Sequence, residues 1–240
     1  RENPPTCRRQ RQMCIRDSKI AVLIAEGEIV DGKGGNDGSI TDGGMAEAIS
    51  AIRKDKRIEA VVLRINSPGG SALASDMIWQ NISLLASEKP VYVSMGNVAA
   101  SGGYYIAAPC KKIYASPMTI TGSIGVFGLM FSAEELMHNK LGIKTQQVGT
   151  HPLSNLIAID KGPSKEVLAV LQNNVNHTYD RFKTVVSEGR QIDLLKVDSL
   201  AKGHVYSGND ALEIGLIDEF GGLLDCLLYT SDAADDTLCV

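Results

Sequence analysis

Short apolar runs recur along this chain, each closed by a turn and followed by an apolar stripe at helical spacing. That alternation constrains the fold more than any other feature. Lys19-Ile20-Ala21-Val22-Leu23-Ile24 and Glu59-Ala60-Val61-Val62-Leu63-Arg64-Ile65 read as buried strands. The first leads through a Gly-rich loop, Asp31 to Gly44, to Ala46, Ile49 and Ile52 at helical spacing. The second ends at Asn66-Ser67-Pro68-Gly69-Gly70, and a helix follows with Leu73, Met77, Ile78, Ile82 and Leu85 on one face. Val91-Tyr92-Val93 and a strand near Ile113 continue the series. Glu134 to Lys140 predicts a short helix before a strand at Lys144–Val148. Val167, Leu168, Leu171, Val175, Tyr179, Phe182 and Val186 mark a long amphipathic helix over Ser164–Glu188, for core or oligomer packing; Glu166, Asp180, Arg181 and Lys183 exclude a membrane helix there. Strands alternating with helices predict an α/β fold: a largely parallel sheet with flanking helices and right-handed crossovers.

The two ends stand outside this pattern. Arg8 to Ser18 and Cys226 to Asp235 can be encoded by the two strands of a single DNA element, a match that points to translated sequencing adapter at both ends. Residues 1–18 and 226–240 are therefore expected to be non-native, and Lys19 to Asp225 to be one domain cut at both ends. Four of the five cysteines fall in those ends, leaving Cys110, so neither a disulfide framework nor a zinc cluster is supported. The net charge of −4 disfavours a nucleic-acid partner. No run of apolar residues is long enough to span a bilayer, and the basic head lacks the apolar stretch of a targeting signal.

Chemistry concentrates around Ser101, in Asn97-Val98-Ala99-Ala100-Ser101-Gly102-Gly103-Tyr104-Tyr105-Ile106. A small polar residue between a strand and a helix, flanked by glycines that admit substrate, is how a serine nucleophile is set. An N-cap serine beside a tight turn has the same local look. Acyl transfer also needs donors for an oxyanion. The turn at Gly69 and Gly70 follows a strand and opens a helix, so its backbone N–H groups can supply them, with the N–H of Gly102 as a further donor. Thr121-Gly122-Ser123-Ile124-Gly125-Val126 forms a third motif.

Taken together, these motifs resemble the signal peptide peptidase A family of serine proteases, in particular the C-terminal half of its long, duplicated members. The likeness runs from Lys19 to Leu224 and includes Val205-Tyr206-Ser207-Gly208-Asn209-Asp210-Ala211 and Gly215-Leu216-Ile217-Asp218. It implies a Clp-protease/crotonase-like fold, a Ser/Lys dyad with Ser101 as nucleophile, and Ser123 as hydrogen-bond partner of the lysine amine. It further implies peptide substrates, namely signal peptides already released from secreted proteins. The place of action would be the outer face of the bacterial inner membrane, reached through an anchor absent here, and the assembly a homo-oligomer, a ring of four. No cofactor and no metal are expected.

The base is where the chain departs from the short members of that family. Pro152, in Val148-Gly149-Thr150-His151-Pro152-Leu153-Ser154, occupies the place of their lysine. The duplicated members take the lysine from the preceding half, so this chain alone is expected to be inactive. His151 reads as a loop histidine with a base role as the alternative, and Lys161 and Lys165 as surface charges. A Clp-type triad would need a histidine where Val126 stands, and His138, His177 and His204 lack metal-ligand spacing. Two other functions share the pattern. A crotonase-fold acyl-CoA enzyme would use the oxyanion turn without a nucleophile, and a non-catalytic half would only scaffold a multimer.

Overall fold

A computed structural model describes residues 19–33, 38–146, 148–151 and 159–236. Strands β1 (Lys19–Glu26), β2 (Glu28–Val30) and β3 (Ser39–Thr41) precede helix α1 (Asp42–Lys54). Then come β4 (Ile58–Ser67), α2 (Ala72–Glu88), β5 (Val91–Ala100), α3 (Gly102–Ala107), β6 (Lys112–Ala115) and β7 (Ile120–Gly122). The C-terminal part holds α4 (Lys165–Arg190), α5 (Leu194–Leu200), β8 (Val205–Ser207), α6 (Gly208–Glu213), β9 (Glu219–Phe220) and α7 (Leu223–Asp236). The main sheet runs β1-β4-β5-β6-β9 with every pairing parallel, as the alternation of strands and helices predicts.

Central position explains the apolar runs. In β4, Val61, Val62, Leu63 and Ile65 are fully buried, because a parallel strand between two others is covered on both faces. One face carries the main core: Ile49 of α1, Ile78, Ile82 and Leu85 of α2, Tyr104 and Ile106 of α3, and Phe182 and Val186 of α4. Burying each such side chain contributes roughly 1.5–3 kcal/mol. Side-chain caps start the helices where the chain must turn. Thr41 Oγ1 accepts from Gly44 N, Ser71 Oγ from Ala74 N and Ser164 Oγ from Val167 N.

Strand β5 changes partners midway, and this places the candidate nucleophile. Its first half pairs with β6 (Tyr92↔Lys112) and its second half with β7 (Val98↔Ile120, Ala100↔Gly122). Between the pairs Ile65↔Met95 and Ser67↔Ala99 the register slips, and Asn66 Oδ1 accepts from Val98 N at 3.3 Å across the irregularity. Such a bulge bends a strand and re-aims its end.

Three sequence expectations differ from what is observed. Residues 144–146 and 148 form no strand, since this polar stretch offers no apolar face to bury. Leu73 and Met77 of α2 are exposed rather than core, the inner face being Ala74, Ser75, Ile78, Ile82 and Leu85. The stripe on α4 is buried at Val167 and again at Phe182 and Val186, with Val185 beside them, while Leu168 stays exposed. On the other face of the sheet, α7 packs against Val62, Tyr92 and Tyr114, with Cys226 and Thr230 buried. Cys226 and the residues after it belong to the segment that the nucleotide match sets aside. The spacing of Leu223, Cys226, Leu227 and Thr230 gives that segment a helix face able to cover the sheet. Among the described residues no helix is long and apolar enough to cross a membrane.

Candidate active site

Ser101 stands at the junction of β5 and α3 with φ 52° and ψ −120°, a backbone geometry that a residue with a Cβ adopts only under strain. Holding it costs on the order of 1–3 kcal/mol and requires neighbours that fix the backbone. They are present: Ser101 N donates to Gly122 O at 2.9 Å, and Tyr105 N donates to Ser101 O at 2.9 Å. Thus β7 anchors one side of the residue and α3 the other. The hydroxyl itself makes no hydrogen bond among the described residues, and it opens onto two clefts of about 620 and 480 Å³.

The turn after β4 lies directly beside it. A Cβ on Gly69 (φ 99°) would fall 2.6 Å from Gly102 N and 2.9 Å from Ser101 Cβ, so only glycine permits this approach. Gly69 O accepts from Ile29 N at 2.9 Å and Ser71 N donates to Ile29 O at 2.8 Å, and the N–H of Gly70 between them has no partner among the described residues. The N–H of Gly102 begins α3 and has no intrahelical acceptor. Gly70 and Gly102 therefore hold available donors next to Ser101. Gly69 does not, because its N–H already donates to the buried Ser67 Oγ at 3.1 Å. Its part in the site is the close approach, and the donor role expected of it is taken by a hydrogen bond within the turn.

The smaller cleft brings Ser123 to Ser101. Ser123 has φ 50°, its N donates to His204 O at 2.7 Å, and its hydroxyl makes no hydrogen bond among the described residues. Lys202, which sequence reasoning passed over, lines the same cleft; Tyr179 OH accepts from its backbone N at 3.0 Å. The Lys202 side chain is exposed, whereas a lysine base needs burial to be neutral. His151, Lys161 and Lys165 are exposed and line neither cleft, and Pro152 lies outside the described residues. Val126 borders both clefts. Among the described residues no group of His, Cys, Asp and Glu could hold a metal ion.

The larger cleft is bounded by α2, α3 and α4. Leu73, Tyr105, Val126, Phe127 and Phe182 give it apolar walls, and Asp76, His177 and Arg181 give it a polar end. Tyr105 OH donates to Asp76 at 2.6 Å, and burial followed by this hydrogen bond pushes the phenol pKa upward. Neither Arg181 nor Lys202 carries a local motif. Only the docking of α4 and of the turn after α5 brings them here.

A parallel sheet with helices on its faces, presenting a strained serine beside unengaged backbone donors, defines a Clp protease-like α/β domain. The Clp protease family model matches residues 18–123. The model of peptidase family S49 matches residues 83–235, and the chain belongs to that family. It is 41% identical over 218 residues to Protease 4 of Salmonella typhi, covering 90% of this chain and 34% of that protein. It is 43% identical over 205 residues to Protease 4 of Haemophilus influenzae, covering 85% and 33%. With the chloroplastic serine protease SPPA of Arabidopsis thaliana it shares 38% identity over 221 residues, 90% of this chain and 32% of the other. The chain spans about a third of the length of these relatives.

Proposed function

We propose that this chain is the nucleophile-bearing domain of a serine endopeptidase. The observation that carries the reading is Ser101, strained at its junction and flanked by the unengaged N–H groups of Gly70 and Gly102. Ser101 Oγ attacks the peptide carbonyl carbon while a base takes the hydroxyl proton. The two N–H groups hold the oxyanion, and collapse expels the amine, which recovers the proton. Water then hydrolyses the acyl-enzyme. One oxyanion donor of this kind is worth about 10²–10³ in kcat.

The base in this reading is a lysine of the half that precedes the domain in duplicated members of the family, with Ser123 accepting a hydrogen bond from its ammonium form. Released signal peptides are the proposed substrates. The extracytoplasmic face of the bacterial inner membrane is the proposed place, with an anchor outside this chain, and a ring of four the proposed assembly. Support for these finer points comes from the resemblance and from the cleft shared by Ser101 and Ser123.

The test is covalent labelling of the full chain by a fluorophosphonate, together with hydrolysis of a fluorogenic apolar peptide. Both are run with and without a separately expressed N-terminal half that carries the family lysine. Labelling lost in Ser101→Ala, with turnover only in the mixture, is the expected result. Labelling that survives Ser101→Ala would refute the reading and favour an acyl-CoA enzyme or a scaffold. A second reading rests on Lys202, which lines the cleft of Ser101 and Ser123. It predicts turnover by the chain alone that Lys202→Ala abolishes.

A further inference from the structure

The larger cleft beside Ser101 ends in a side-chain arrangement that the acyl-transfer chemistry does not use. On α4, the Arg181 guanidinium lies over the Trp79 ring, 4.5 Å from its centroid, and its Nε stands 3.5 Å from Asp76 Oδ1. Asp76 is itself fixed, accepting from Tyr105 OH at 2.6 Å and from Gln80 Nε2 at 3.0 Å. Stacking on one face and a carboxylate at Nε orient the guanidinium plane. The Tyr105 hydroxyl also lies within reach of the guanidinium, and the Arg181 side chain is 40% exposed. His177, four residues earlier on α4 and so on the same helix face, lines the same cleft.

We propose that Arg181 is a specificity-determining residue that binds a carboxylate of the peptide substrate. This inference rests on the peptidase reading above. The exposed part of the guanidinium presents the planar fork that matches a carboxylate, and an orienting partner lowers the entropy lost on pairing. Apolar walls at Leu73, Tyr105, Phe127 and Phe182 suit a ligand with an apolar body and a single charged end. Asp76 balances the charge of Arg181, so the site selects by hydrogen-bond geometry rather than by bulk positive potential. A free C-terminus and an acidic side chain both present this chemistry.

The test is equilibrium binding to the full chain, read by fluorescence anisotropy at low salt. Three labelled apolar peptides of one sequence are compared: free C-terminal acid, C-terminal amide, and amide with an internal glutamate. At least one carboxylate peptide is expected to bind about tenfold more tightly than the plain amide, the scale of a charged hydrogen bond. The acid form winning identifies the terminus, and the glutamate form winning identifies a side chain. Arg181→Gln should erase the preference while leaving the affinity for the amide in place, and Arg181→Lys should restore it only in part. Loss of fold would weaken all three peptides together, so the ratio between peptides separates recognition from structure. Equal binding of all three to the wild type, or a preference that persists in Arg181→Gln, overturns the proposal and leaves the peptidase reading intact. Failure of every peptide to bind overturns the carboxylate site, and fluorophosphonate labelling of Ser101 then reports separately on the nucleophile.

Discussion

Gly189→Ala sets two known effects against each other. In an exposed helix interior the change stabilises by about 1 kcal/mol, since alanine is the better helix former. Gly189 lies in the last turns of α4, where that helix crosses the end of α3, and an added Cβ would sit 2.1 Å from Ala108 O and 2.6 Å from Ala108 C. Contacts to carbon are optimal at roughly 3.5 Å, so one element must move by about 1.4 Å. Ala108 has little room to yield, because its N donates to Tyr104 O at 3.1 Å and Cys110 N donates to Ala107 O at 3.1 Å. Overpacking of this kind costs about 1–3 kcal/mol, which set against the gain in propensity leaves a net loss of about 1 kcal/mol. With a urea m-value of about 2–3 kcal/mol/M, the midpoint should fall by roughly 0.3–0.5 M at unchanged m. Gly128→Ala is the control, since its nearest neighbour would be Val175 Cγ2 at 3.9 Å, and it should stay within about 0.5 kcal/mol of the parent. A midpoint that rises in Gly189→Ala would refute the reasoning and show that α4 can lift away from α3 at no cost.

Gly69→Ala should slow fluorophosphonate labelling of Ser101 by about 100-fold, because its Cβ would push against Gly102 N, 2.6 Å away, and displace a proposed oxyanion donor; labelling within threefold of the parent would contradict this. Cys110 is buried and burial pushes its thiol up to about 12, so iodoacetamide at pH 8 should leave it unmodified until the chain unfolds; peptide mapping that finds it labelled in native protein would exclude this packing. Asp198 Oδ1 accepts from Lys183 Nζ at 2.7 Å, and this hydrogen bond holds the Asp198 carboxyl below its ordinary range. A depressed carboxylate contributes stability that is present above its unfolded pKa and lost as pH falls through the folded one. Asp198→Asn should therefore be less stable than the parent near pH 7, with the gap closing as pH falls below the ordinary carboxylate range, and a gap independent of pH in parallel urea melts would rule the ion pair out.

Much of the fold was legible because burial in a parallel sheet leaves a strong mark. Val61, Val62, Leu63 and Ile65 are apolar because β4 is covered on both faces. Strands β7 and β8 left no such mark: each has three residues, and they pair antiparallel across more than eighty positions, with Thr121 facing Tyr206. The bend of β5 was equally silent, because it depends on the register of Asn66 against Val98 and not on any composition. At the site, motifs located Ser101, Ser123 and the glycine turn, since each needs a special backbone and the residues that tolerate one cluster locally. Motifs did not assign atoms to roles. Gly69 and Gly70 are adjacent and chemically identical, yet one N–H is bound to Ser67 Oγ and the other, beside the Ile29 bridge, has no partner among the described residues. Nor could they find Arg181 and Lys202, whose place beside Ser101 is set by how α4 packs on α3 and by the Lys183–Asp198 tie to α5. The backbone machinery is thus written in local sequence, while the side chains proposed to choose the substrate are supplied by tertiary packing. Substitutions that shift α4, Gly189→Ala among them, should then change peptide preference before they change the reactivity of Ser101.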